Sequence, residues 1–195
     1  MKKKILFVGA SFSQVPPIKY AKKMGYYVIS CDQNKKSPGF KYCDESYVVS
    51  TTNKKKILEI SKKLKINGIV TYVSDTASPT VSYVSKKLNL KGLPIKAVNT
   101  LIYKNLFRKF LKNNNFNYPD FKIFKSKEKI DNFIDKIGYP FFIKPIDSSG
   151  SKGVTKVIKK IFIKEAISEA LNYSNKKKFI IEKIIERKGY QVAGD

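Results

Sequence analysis

The chain has 195 residues, with 40 Lys plus Arg, 15 Asp plus Glu and no His, for a formal net charge of +25. Hydrophobic residues make up 42% and aromatic residues 13%, too apolar a composition for a disordered chain even at this charge. The length suits one ordinary domain or two small ones, and no apolar run approaches the roughly 18 residues a membrane-spanning helix needs. The missing His excludes Ser-His-Asp and Cys-His catalysis, His metal ligation and imidazole acid–base work. Cys31 and Cys43 are too few for a metal cluster and are not in CxxC spacing, so a reducing cytoplasm is the expected location.

The opening MKKKILFVGASF has a basic start, but its apolar core ILFVGA is shorter than the roughly 7–15 residues of a signal peptide. It reads as a first strand, Ile5–Gly9. Gln14–Gly25 reads as a helix, with Pro16 and Pro17 near its start and Gly25 at its end. Tyr27–Asp32 is a second strand, Ser46–Ser50 a third, Asn53–Leu64 a helix and Gly68–Val73 a fourth strand. The loop SDTASPT opens a helix at about Pro79–Leu88. Strands alternating with helices in this way predict a doubly wound parallel sheet. Leu93 and Pro94 mark a junction, and a helix over about Val98–Leu111 follows. The second half predicts strands at Phe121–Lys125, Phe141–Pro145, Val154–Ile158 and Phe179–Ile185, with helices at Lys127–Ile137 and Ile161–Leu171.

A charge of +25 invites a nucleic-acid reading. It is disfavoured, because Arg108 and Arg187 are the only arginines and the lysines are scattered over predicted helix surfaces rather than gathered in one patch. Arg supplies most bidentate base and phosphate contacts.

The motifs that carry chemistry lie mainly in the second half. Gly9 is followed by Ala10 and Ser11, so the GxGxxG fingerprint is absent, and Asp32 reads as a turn-forming residue. In DSSGSKGV, Asp147–Val154, small residues let successive backbone N–H groups approach an anion; the alternative is a flexible hairpin turn. Lys144 sits in the apolar strand FFIKP just before this loop. A lysine so placed is costly unless it meets an anion, so Lys144 and the loop form a candidate phosphate clamp. Glu182 and Lys183 interrupt the apolar strand FIIEKII. They read equally well as an adenine-reading edge or as a surface ion pair. Lys104 and Arg108, four residues apart on one helix face, read on spacing alone as a solvated stripe.

In order and spacing these segments resemble the ATP-grasp superfamily, specifically members related to the carbamoyl-phosphate synthase large chain. The resemblance rests on DQNKKSPGFKYCDESYVVST, TYVSDTASPTVSYVSKKLNLKGLP, IYKNLFRKFLKNNNFNYPDF, YPFFIKPIDSSGSKGV and FIIEKIIERKGYQVAGD, and so covers the whole chain. It implies an α/β chain: a pre-ATP-grasp, Rossmann-like domain over 1–94, a linker helix region over 95–120, and a partial α+β ATP-grasp lid over 121–195.

By similarity, Lys104 and Lys144 would contact ATP phosphates, and Ser148, Ser149, Gly150, Ser151 and Gly153 would form the closing loop. Glu182 would accept from the adenine amino group. Lys183, Ile184 and Ile185 would also contact the nucleotide, the backbone of Lys183 and Ile185 reading the ring edge.

The implied reaction is ATP-dependent joining of a small carboxylate and an amine through an acyl phosphate. Mg²⁺ would be bound by carboxylates in a segment beyond Asp195, so no metal ligand is expected within this chain. Gln191 stands where relatives carry a Glu or His. Apolar surface left open on the 98–111 helix implies a homo-oligomer. The alternatives are a truncated, non-catalytic nucleotide-binding module that works with a partner chain and, further off, a basic nucleic-acid binder.

Overall fold

Four apolar runs of the first half become strands β1 (Lys4–Val8), β2 (Tyr27–Asp32), β3 (Glu45–Val48) and β4 (Gly68–Val70). They pair in parallel in the order β3-β2-β1-β4. The computed structural model describes residues 1–126, 128–186 and 189–190, and it divides into two units, Met1–Asn99 and Thr100–Asp195. Gln191 lies outside the described residues. Among the described residues, no helix is long and apolar enough to cross a membrane.

In the first unit, helices α1 (Val15–Lys23) and α2 (Lys54–Leu64) connect strands, and α3 (Ser78–Lys87) follows β4. Both faces of the sheet are covered. Leu6, Val8, Ile29 and Cys31 pack with Ile57 and Val84 on one side, while Phe7 and Val28 pack with Ile18 and Ala21 on the other. Two-sided burial is why these strands read as continuous apolar runs rather than as alternating ones. Local chemistry sets the ends of the helices. Proline occupies the first turns of α1 and α3, where the missing N–H costs little. The Asn53 side chain caps α2 by accepting from the Lys56 N–H at 3.1 Å.

At the carboxyl ends of these strands the loops are tied to one another. Asp32 accepts from the backbone N–H of Ala10 at 2.8 Å and of Asn34 at 3.0 Å, the turn-forming use expected of it. Gln14 is buried, and its amide bonds both the N–H and the carbonyl of Tyr72. The N–H of Gly39 donates to the Ala10 carbonyl at 2.7 Å.

The second unit is built on four antiparallel strands in the order β5-β8-β6-β7: β5 (Phe121–Lys125), β6 (Phe141–Pro145), β7 (Thr155–Val157) and β8 (Lys178–Lys183). Helices α6 (Asp131–Ile137) and α7 (Ile163–Asn172) cover one face. Phe124, Phe141, Ile143, Phe179 and Ile181 meet Ile134, Ile137, Ala166 and Ala170 there. Successive side chains of a strand alternate between faces, so Phe142, Lys144, Ile180 and Glu182 lie on the other face. The register pairs Phe142 with Glu182 and Lys144 with Ile180.

Among the expectations that change, the fourth strand, expected to reach Val73, stops at Val70. The helix expected over 98–111 is two helices, α4 (Ile95–Ile102) and α5 (Lys104–Asn113). Tyr103 between them is extended, at φ −85 and ψ 112. The N–H of Lys104 donates across to the Ile146 carbonyl at 2.9 Å, and that long-range bond replaces the helical one. The strand expected to reach Ile185 stops at Lys183, because its partners run out where β5 begins and where β6 begins. The helix expected from Lys127 is regular only from Asp131, and residue 127 lies outside the described residues.

Candidate functional site

The second face of the antiparallel sheet gathers the charged groups. β8 lies between β5 and β6, which buries Glu182 to 1% exposure. A carboxylate removed from water this far must be compensated, and two cations do so. Arg108, on α5, donates from Nε to Oε1 at 2.8 Å and from Nη2 to Oε2 at 3.3 Å. Lys144, on β6, donates from Nζ to Oε2 at 2.6 Å. Burial pushes the Glu182 carboxyl up, but the hydrogen bonds and charges of Arg108 and Lys144 outweigh it and hold the group below its ordinary value. Lys144 Nζ also lies 4.7 Å from the centre of the Phe142 ring, a cation–π distance.

The predicted anion loop is a hairpin connection between β6 and β7. Gly150, Ser151 and Gly153 take positive φ of 64, 56 and 69, which turns the chain sharply and points short side chains outward. Ser149 to Lys152 are exposed, whereas Gly153 is buried. A Cβ on Gly153 would lie 3.0 Å from the Tyr173 ring, so at its positive φ any larger residue would be strained there. Ser148 anchors the loop from within, its hydroxyl reaching the Lys152 carbonyl at 3.2 Å. Lys104 Nζ donates to the Ser148 carbonyl at 2.5 Å. The first two turns of α5 are therefore stapled to the exit of β6 and its loop through Lys104, and to β8 through Arg108.

This geometry sorts the sequence-derived candidates. Lys104 and Ser148 are in direct contact, as are Lys144 and Glu182. Glu182 directs its oxygens to Arg108 and Lys144, neither to Lys183 nor to open solvent. The surface-pair alternative at Glu182–Lys183 and the solvated-stripe reading of Lys104 and Arg108 are both replaced. Arg108 was missing from the candidate nucleotide residues. Its signals were its position four residues after Lys104 and its being one of two arginines in a lysine-rich chain. Ile184 and Ile185 follow the end of β8. With Phe116, Tyr118, Asp120 and Lys183 they help line an open depression of about 450 Å³.

Among the described residues, no group of three or more Cys, Asp or Glu is gathered for a metal ion. The buried acid of the site is already held by two cations.

Two family models match the chain. The N-terminal domain of PylC-like proteins matches residues 5–95, and the D-ala D-ala ligase C-terminus matches residues 110–193. The formate-dependent phosphoribosylglycinamide formyltransferase of Prochlorococcus marinus (strain NATL1A) is 27% identical over 188 residues, 94% of this chain and 48% of its own. D-alanine–D-alanine ligase B of Clostridium perfringens (strain 13 / Type A) is 40% identical over 84 residues, 43% of this chain and 27% of its own. Among solved structures, the biotin carboxylase domain of the Hydrogenobacter thermophilus 2-oxoglutarate carboxylase, in complex with MgADP, ADP and bicarbonate, superposes with a TM-score of 0.78 at 18% identity. It covers 95% of this chain and 45% of that one. The chain spans about half the length of the curated relatives it matches. Residues 5–95 and 110–193 thus resemble the N-terminal domain of PylC-like proteins and the D-ala D-ala ligase C-terminus, and the chain shares the fold of its structural neighbours, which are ATP-grasp ligases.

Proposed function

We propose that this chain is the ATP-binding portion of an ATP-grasp ligase that joins a carboxylate to an amine, or to a related nucleophile, through an acyl phosphate. The observation that carries the reading is the convergence of Lys104, Lys144 and the Ser148–Gly153 loop on one side of the antiparallel sheet. In this assignment residues 1–94 form the pre-ATP-grasp domain, 95–120 the linker and 121–195 the lid.

Lys104 and Lys144 neutralise the charge of the β- and γ-phosphates. The loop closes over the phosphates with its backbone N–H groups. The adenine lies against the chain after β8, where Lys183, Ile184 and Ile185 present backbone groups and apolar surface. Glu182 is the anchor that holds and aims Lys144, and it reaches an adenine amino group only by a shift from its present position. A carboxylate oxygen of the substrate attacks the γ-phosphorus and the bond to the ADP oxygen breaks. The amine then attacks the acyl carbon and displaces phosphate. Positioning and charge neutralisation supply the rate, and no imidazole is required. We place the protein in the cytoplasm.

A second reading has its own support. It is a nucleotide-binding module completed by a partner chain or a second copy. The half-exposed Phe110 and Phe116 near the end of α5 offer apolar surface for such association.

Calorimetric titration of the chain with ATP tests the nucleotide reading. Wild type is expected to bind, and Lys144→Met to bind at least roughly tenfold more weakly, the loss of one charged hydrogen bond. Equal affinities, or no binding by wild type, would overturn it. Detection of ADP and an acylated amine product separates the ligase from the binding module.

A further inference from the structure

Two cations share one buried carboxylate at this site, and they do so unequally. Arg108 reaches both oxygens of Glu182, whereas Lys144 reaches only Oε2. The side chain of Glu182 is 2% exposed, against 19% for Arg108 and 17% for Lys144. The acid is sealed in while both cations extend toward the edge. The local charge is +1 + 1 − 1 = +1.

Without Arg108 the remaining pair would be neutral. Drawing Lys144 toward a phosphate would then strand a buried carboxylate, which is costly. Arginine suits the holding role because its planar guanidinium takes both carboxylate oxygens and keeps its charge at any working pH. Lysine suits the exchanging role, with a compact ammonium on a flexible stem and three donors, of which Glu182 takes one.

We propose that Arg108 is a positioning residue that keeps Glu182 compensated, so that Lys144 can turn to an incoming phosphate without leaving a buried acid unpaired. Arg108 acts through Glu182 and makes no contact with the nucleotide. This rests on the reading that Lys144 meets the phosphates of ATP, and it adds the device that makes Lys144 available.

The test uses the full chain and three probes: ATP, inorganic tripolyphosphate and adenosine. Arg108→Met is expected to weaken ATP and tripolyphosphate binding roughly tenfold, the scale of one charged hydrogen bond. It should weaken adenosine binding less than tripolyphosphate binding, since adenosine carries no phosphate for Lys144 to meet. The decisive comparison removes the acid. Glu182→Gln and the double variant Arg108→Met/Glu182→Gln are expected to bind ATP equally, because a neutral amide needs no compensating cation. That comparison stands even where Arg108→Met alone is too unstable to assay, circular dichroism being the check.

A double variant that binds clearly less ATP than Glu182→Gln overturns the proposal, because Arg108 would then act on the ligand directly or on the fold. So does an Arg108→Met that binds ATP like wild type. A Lys144→Met that binds ATP like wild type overturns the nucleotide reading itself. Loss on Lys144→Met with no loss on Arg108→Met overturns only the role of Arg108.

Discussion

Replacing Glu182 with Gln should destabilise the second unit strongly at neutral pH and much less in acid. The change keeps the size of the side chain and removes the charge that Arg108 and Lys144 share at 2.6–3.3 Å. Removing one partner of a buried ion pair costs about 3–5 kcal/mol. The lower end applies here, about 3 kcal/mol, because both cations extend to the edge and regain water, and because Gln retains an acceptor. In a unit of 195 − 99 = 96 residues, each kcal/mol moves Tm by about 4–8 °C, so a drop of about 12 °C or more is expected.

The pH dependence has a definite sign. Glu182 is held below its ordinary value of 4.5 in the folded state, so its stabilisation is complete above that value. It fades as pH falls toward the folded-state value. The gap between wild type and Glu182→Gln should therefore be widest near neutrality and shrink below about pH 4.5. Urea unfolding followed by far-ultraviolet circular dichroism suits a chain without Trp, and hydrogen exchange at the β6 and β8 amides assigns the change to this unit. Lys144→Met should cost less than Glu182→Gln, because Arg108 stays on the carboxylate. Equal stability of Glu182→Gln and wild type at pH 7, a gap that does not narrow in acid, or a costlier Lys144→Met would refute the charge accounting.

Two further outcomes are expected in the first unit. Gly39→Ala would place a Cβ 2.8 Å from the Ala10 carbonyl oxygen and 3.0 Å from Ile18 Cδ1. Backbone cannot yield as a side-chain tip can, so a loss of about 1–3 kcal/mol is expected from the urea midpoint, and an unchanged midpoint would contradict it. Burial pushes the Cys31 thiol up to about 12 and the Cys43 thiol up to about 11. Both should react slowly with a thiol reagent at pH 8 while the chain is folded and quickly in urea; rapid labelling of the folded chain would refute the burial argument.

Much of the architecture is legible from short-range pattern. Runs such as ILFV and YVISCD, separated by segments of helical period, announce a two-sided parallel sheet. Pro16 and Pro17 mark the start of α1, Asn53 marks that of α2, and DSSGSKG between two apolar runs marks a hairpin. Each of these rests on interactions within a few residues, so the local sequence suffices. The lysine in FFIKP and the acid in FIIEKII are also legible as anomalies, since a charge inside an apolar strand needs a partner.

Which partner each charge takes is decided elsewhere. Glu182 is buried because β8 is central, between β5 and β6, and strand order is a property of the whole unit. Its partners lie 38 and 74 residues away in the chain, beyond any periodicity. The same holds for the break at Tyr103. The apolar pattern runs through it without interruption, and only the bond from Lys104 to Ile146, formed once β6 is in place, interrupts the helix. Strand propensity likewise continues past Lys183, but a strand lasts only as long as its neighbours. The sequence by itself determined the elements and which residues were costly to bury. Only the tertiary structure decided which charges meet, because burial and charge compensation depend on chain segments brought together by the sheet.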